Sequence, residues 1–473
     1  MTGDLFYVDG GWAKPAAARM LDLVDPSDET AFAQVALGNA EDADHAVVAA
    51  RRAFPAFAAT SRAERIALLT RIADLLDERK ESIARLMSRE MGAPLRYAID
   101  VQMTTGVAHF RVAADVLTNY EFEHSRAGTL VRREPVGIAG LITPWNFPVN
   151  QIASKVAPAL AAGCTLVLKP SELSPLSALA FAQVMHDAGT PPGVFNLVNG
   201  DGEGVGRAIA AHPGIDMVSF TGSTRAGILV AEAAAPTVKR VRQELGGKSA
   251  NIILPDADLD KAVTLGIGAS FRNSGQSCSA PTRMLISRGQ YDEAVGIARR
   301  VISQLHVGHP LSPETTHGPV SNGRQFEKVA GMIDSGIAAG AELVAGGPGR
   351  PDGLKHGYYV RPTVFGRVTP DMVIAREEIF GPVLSILTYD DEDDAIRIAN
   401  DTSYGLAAYV QSGDLDRARR LAGKLEAGIV HLNYPAWDPY APFGGVKRSG
   451  NGREYGQAGL EEFLQLKAVV GYQ

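Results

Sequence analysis

From residue 138 onward the chain alternates short apolar runs with helical stretches, and this rhythm constrains the fold more than any other feature. IAGLIT (138–143), CTLVLK (164–169), VFNLV (194–198) and MVSF (217–220) read as strands. Helices read over 151–162, ended by Gly163, over 176–187 and over 204–211, and another starts near Ser223. Strands separated by helices need crossover connections, so they pair in parallel in an α/β sheet. Ligands dock at the strand tips of such sheets. The rhythm then restarts. ANIIL (250–254) and MLISR (284–288) read as strands around a helix over 259–273, and helices follow near 290–304 and 323–339. A second α/β domain is implied, in keeping with 473 residues, too many for one core.

The flanks differ. Residues 1–35 read as short strands and turns. A helix over 41–57 is interrupted at Pro55. Ser61 and Glu64 form a capping box for one long helix to about Met91, and another helix runs to about Leu117. TLVRREPVG (129–137) alternates like a strand. FLQLKAVVGY (463–472) reads as a terminal strand with no obvious partner, and pairing with another subunit would satisfy its backbone.

Composition narrows the partners. A formal net charge of −7 argues against nucleic acid, and the pairs Arg51-Arg52 and Arg132-Arg133 read as solvated faces. No apolar run approaches a membrane span, and MTGDLFYVDGGW lacks the signal-peptide pattern. With only two cysteines no disulfide framework is expected, and a reduced cytoplasm is the expected compartment.

Three pieces carry chemistry. Gly200–Gly206 (GDGEGVG) follows a strand and opens a helix, as a phosphate-binding turn or a plain Gly-rich turn would. QELGGK (243–248) sets a glutamate beside two glycines, fit for a general base or an exposed loop acid. NSGQSCSA (273–280) holds Cys278, either a buried hydrophobe or a nucleophile. A helix ending before Cys278 offers its C-terminus, which does not lower a thiol pKa. Cys164 opens an apolar strand and reads as a buried hydrophobe.

Read in order, TPWNFP (143–148), KPSE (169–172), FTGS (220–223), ELGGK (244–248), GQSC (275–278), EEIFGP (377–382) and PFGGVKRSG (442–450) form a set that resembles the aldehyde dehydrogenase superfamily from about residue 5 to the end. The resemblance implies two Rossmann-like three-layer α/β domains and a small β arm. Residues 1–120 and 138–244 would bind NAD, 245–445 would be catalytic, and 121–137 with 446–473 would form an oligomerisation arm. A homodimer or homotetramer follows.

The resemblance also implies roles. Cys278 would be the nucleophile, Asn146 the oxyanion donor and Glu244 the base that deacylates a thioester. Lys169 and Glu172 would hold the adenosine ribose, with Glu172 favouring NAD over NADP. Trp145, Phe220 and Ser223 would lie by the pyrophosphate, Gly202 near the adenine, and Gly246, in the loop after the base, would also bind the cofactor. Glu378 and Phe380 would clamp the nicotinamide ribose. No metal is expected. The substrate is a small-molecule aldehyde, with Phe147, Ser277, Trp437 and Tyr440 as candidate lining or core residues. SAPTR after the nucleophile departs from many relatives, and Pro281-Thr282 stiffens that segment. It resembles a bacterial subgroup acting on bulky or long-chain aldehydes, including keto-acid semialdehydes. Acyl transfer to coenzyme A and a catalytically silent protein on the same fold are the competing readings. An intact Glu244 opposes the first, and an intact Cys278, Glu244 and Asn146 oppose the second.

Overall fold

The computed structural model describes residues 3–17 and 19–472. Two seven-stranded sheets dominate it. In the first, Arg240–Glu244, Met217–Thr221, Ile138–Ile142, Thr165–Lys169 and Phe195–Leu197 run parallel, and a hairpin of Phe6–Val8 and Gly11–Ala13 closes the far edge. The three middle strands are buried at every position, because helices cover both faces. Of the five parallel strands Ile138–Ile142 comes first in the chain, with later ones added on either side, so the order reverses there and opens a crevice at the carboxyl ends.

The second sheet runs Glu342–Ala345, Thr363–Gly366, Val383–Tyr389, Arg283–Ser287, Ala250–Ile253, Ala407–Gln411 and Ile429–Leu432. Only its first strand is antiparallel. The loop that enters Arg283–Ser287 meets the carboxyl end of Ile138–Ile142, where the Asn146 side chain donates to the Gln276 carbonyl.

The expected helices before residue 120 differ in three places. Ala40–Ala58 continues through Pro55, because its buried residues, among them Ala46, Val47, Ala50 and Phe57, hold it down despite one lost hydrogen bond. The long helix from Ser61 is two, Arg62–Glu78 and Lys80–Met91, broken where Arg79 leaves helical geometry at φ −97° and ψ 6°. The helix to Leu117 contains a π segment, Ala98–Met103, before Thr104–Asn119. The Ser61–Glu64 capping box forms as expected. Arg51 meets Asp216, Arg52 meets Asp9 and Arg132 meets Glu123, so each of these arginines is paired with an acid.

The terminal strand is not alone. Leu464–Val470 pairs antiparallel with Thr129–Pro135, which pairs with Glu123–Arg126. It remains an edge strand, with Leu466 and Val470 exposed. The preceding helix, Gly456–Glu462, places Leu460 in the core beneath the first sheet.

Candidate active site

The loop bearing Cys278 follows a helix, Leu259–Phe271, two residues shorter than expected. Asn273, Ser274 and Gly275 then take left-handed φ of 55°, 56° and 74°. Asn and Gly tolerate this region, whereas Ser must be held there. The Ser274 hydroxyl donates to the Gly318 carbonyl at 2.8 Å. The Asn273 amide donates to the Asn146 carbonyl at 2.8 Å and accepts from Gln102 at 3.2 Å. Gln276 donates to the Asn273 carbonyl at 3.1 Å and accepts the Ser321 N–H at 2.9 Å. A Cβ on Gly275 would lie 2.1 Å from the Gly381 oxygen, so the loop seats against the chain just past EEIF. Beyond the cysteine, Tyr409 donates to the Ser279 carbonyl at 3.1 Å and Ser270 to that of Pro281 at 2.8 Å.

Asn146 is buried just before the helix Pro148–Ala162. Its side-chain amide donates to the Gln276 carbonyl at 3.1 Å. An amide has two N–H donors, so one remains for a ligand.

Glu244 ends the edge strand Arg240–Glu244 and is buried. Neither carboxylate oxygen has a hydrogen-bond partner. Burial, with the Glu454 carboxylate next in weight, pushes its pKa well above the usual carboxylate range, and Lys155 and Arg453 oppose this. Lys155 and Glu454 themselves form a buried ion pair, to which the Ser154 hydroxyl adds a 3.1 Å bond.

Cys278 is half-buried. Burial pushes its thiol up, and the Glu378, Glu244 and Glu454 carboxylates push further. The protein alone therefore keeps the thiol protonated, and a base must take its proton. A Cβ on Gly247 would lie 2.3 Å from the Cys278 carbonyl oxygen. The ELGGK loop thus abuts the backbone of Cys278. Gly247→Ala is expected to displace that carbonyl and lower kcat/KM by about a hundredfold while the fold is retained, as read by circular dichroism and initial rates.

The remaining candidates fall around this centre. Gly247 donates its N–H to Glu378 at 2.9 Å, and a Cβ on Gly246 would lie 2.6 Å from the same carboxylate. The Trp145 ring meets Phe380 edge-on at 5.5 Å. Lys169, buried at its strand tip, donates to the half-exposed Glu172 at 2.8 Å. Ser223 caps the helix Thr224–Ala234, and Phe220 is buried in the strand before it. Gly202 opens a π turn, Gly202–Gly206, capped by Asp201. Phe147 stands edge-on to Tyr97 at 6.4 Å. The Ser277 hydroxyl is 3.4 Å from that of Ser279. Trp437 is 46% exposed. Tyr440 lies on the surface, donating to Asp115 at 2.9 Å. Cys164 is a buried thiol at a strand start, its Sγ 3.5 Å from the Phe463 carbonyl.

Sequence reasoning missed Lys155, Glu454 and Gln102. One signal existed: Lys155 is a charge within an otherwise uncharged, wholly buried helix.

Two largely parallel sheets bring together loops that carry a cysteine, an amide with one N–H unused and an unpartnered carboxylate, at the carboxyl-end crevice where such sheets bind ligands. The aldehyde dehydrogenase family model matches residues 12–469, and the chain belongs to that family. It is 54% identical to the 3-succinoylsemialdehyde-pyridine dehydrogenase of a Pseudomonas species, over 99% of this chain and 98% of that one. It is similar to a mutant aldehyde dehydrogenase C of Pseudomonas syringae, solved with NAD+ and octanal, at 56% identity and a TM-score of 0.99, covering 100% and 97% of the two chains. The Mycobacterium tuberculosis aldehyde dehydrogenase, solved with NAD+, aligns at 40% identity and a TM-score of 0.97 over 99% and 98%.

Proposed function

We propose that this chain oxidises an aldehyde to a carboxylic acid through Cys278, with NAD as the oxidant. The observation that carries the reading is Glu244, a buried carboxylate with both oxygens unpartnered, next to the loop that holds Cys278. Burying such a group without a partner costs several kcal/mol, about what a structural role would never justify.

The residues present suit NAD. Lys169 and Glu172 stand at one strand tip, Ser223 at the next but one, and the half-buried Glu378, before a strand of the second sheet, accepts the Gly247 N–H. Glu172 accepts ribose hydroxyls and repels a 2′-phosphate. NAD, when bound, accepts the hydride that leaves the substrate carbon.

The other steps belong to the chain. The Cys278 thiol gives its proton to solvent water as its sulfur bonds to the aldehyde carbon, and the carbonyl electron pair moves to oxygen. The free N–H of Asn146 and the backbone N–H of Cys278 receive that oxyanion, each donor contributing roughly 3–4 kcal/mol in the transition state. Loss of hydride leaves a thioester on Cys278. Glu244 then takes a proton from water as the water oxygen bonds to the acyl carbon. The C–S bond breaks, Glu244 returns that proton to the leaving sulfur, and the thiol is restored. Residues 1–120 and 138–244 supply the NAD side, 245–445 the catalytic side, and 121–137 with 446–473 the arm of a homodimer or homotetramer. The exposed edge Leu464–Val470 supports the arm.

The test is product analysis with an alkanal and NAD, with and without coenzyme A. Free acid at an unchanged rate is the expected result, and acyl-CoA formed at a faster rate would overturn it. A separate expectation concerns the cofactor. Glu172→Ala should raise the KM for NAD by about tenfold or more, the worth of hydrogen bonds to a charged group, with kcat little changed. Steady-state kinetics against NAD and NADP check it.

A further inference from the structure

The chain of amides behind Cys278 ends on a residue that the mechanism above does not use. Gln102 lies in the π segment Ala98–Met103 and is fully buried. Its orientation follows from its neighbours. The Asn146 and Gln276 carbonyls can only accept, so the Asn273 amide turns its two N–H groups to them, at 2.8 Å and 3.3 Å. Oδ1 of Asn273 therefore faces Gln102, and Gln102 must present its NH₂ there, at 3.2 Å. The Gln276 carbonyl also accepts the Asn146 side chain at 3.1 Å, so both of its lone pairs are taken.

The bonds of this chain converge on Asn146. Asn273 holds the Asn146 backbone by its carbonyl. It also holds the Gln276 carbonyl, on which the Asn146 side chain spends one N–H. The direction of the second N–H is fixed by the same two contacts. Asn273 has a left-handed backbone, φ 55° and ψ 36°, and its carbonyl accepts the Gln276 backbone N–H and side chain, both at 3.1 Å. Its Oδ1 depends on Gln102. With no donor there, Oδ1 is a buried acceptor left unpaired, and the side chain is stabilised by turning away from the two carbonyls to reach one. Gln102 has little else to hold it. Its Oε1 has no hydrogen-bond partner among the described residues, and the Met91 sulfur stands 3.9 Å from its nitrogen. An unpaired buried amide oxygen costs stability that an apolar side chain would not. The π segment is likewise a departure from regular helix geometry of the kind that recurs at functional sites.

We propose that Gln102 is a positioning residue for the oxyanion site: through Asn273 it holds the unused N–H of Asn146 where the substrate oxygen gains its charge. This rests on the reading of Asn146 as an oxyanion donor given above. A donor that swings loses little against a neutral carbonyl and much against an oxyanion, so the loss falls on the transition state. Cofactor binding does not pass through this chain, and the KM for NAD stays out of it.

The experiment is a mutant cycle read by NADH formation from an alkanal. Gln102→Met keeps the length of the side chain and removes the donor. It is expected to lower kcat/KM for the alkanal by about tenfold, the worth of one net hydrogen bond, with the KM for NAD within about twofold of wild type. In an Asn146→Ala background the same change should cost less than about twofold, because the group it acts through is gone. A merely structural role gives equal losses in both backgrounds. Asn273→Gly supplies a second variant with Gln102 untouched. It keeps the left-handed backbone, removes the amide, and should lower kcat/KM by at least about tenfold in the wild-type background and by less than about twofold beside Asn146→Ala. Equal losses with and without Asn146, or a Gln102→Met enzyme as fast as wild type, would overturn the proposal. An Asn146→Ala enzyme as fast as wild type would instead reject the oxyanion reading, and a wild type that forms no NADH would reject aldehyde oxidation itself.

Discussion

In Cys278→Ala, NADH formation from any aldehyde is expected to fall by at least about a thousandfold, with NAD affinity unchanged. The size follows from the role. A group that forms the covalent bond is not replaced by its neighbours, and removing such a nucleophile costs as much as removing its whole catalytic set. The loop should survive the change. Its shape is fixed by Asn273, Gln276 and Ser274, none of which uses the thiol for a hydrogen bond. NAD contacts proposed for Lys169, Glu172 and Glu378 also lie elsewhere. Initial rates beside calorimetric titration with NAD separate the two effects. Turnover within about tenfold of wild type would remove Cys278 from the mechanism.

Glu244→Gln is expected to divide the reaction in two. Acylation forms one NADH per site in a burst, and the steady rate then falls by about a hundredfold or more, the typical worth of a positioned general base. Glutamine keeps the shape, so packing around Gly444 and Leu245 is little disturbed. The pH profile gives an independent check. Burial and Glu454 raise the pKa of Glu244, so its base form appears only as pH climbs through that raised value. Wild-type steady-state turnover should therefore rise with pH. The Gln variant should lack that rising limb. Stopped-flow absorbance at several pH values reads both, and a normal steady rate in the variant would show that another group activates water.

Much of this was legible in the chain. The alternation from residue 138 predicted two α/β units, because parallel strands buried on both faces are continuous apolar runs that need no context to be read. The ordered motifs around Asn146, Glu244 and Cys278 pointed to family and chemistry, and the fold brings these three segments together. Other features depended on packing. Whether Pro55 ends a helix is decided by what lies beneath Phe57, and Arg79 interrupts a helix without any breaker residue. Lys155 and Glu454 are 299 residues apart, so no local pattern could join them. Gln102 shows the same limit. It reads as one more residue of a helix until Asn273, 171 residues away, meets it.

The three carboxylates around Cys278 also bear on how the enzyme endures between turnovers. Peroxides and alkylating agents attack thiolates, and the ladder from sulfenic to sulfonic acid begins with that anion. A thiol pushed upward by burial, and then by Glu378, Glu244 and Glu454, forms less of that anion. The field that disfavours the thiolate therefore also disfavours its oxidation, so inactivation by peroxide is expected to be slow at neutral pH and to quicken as pH rises.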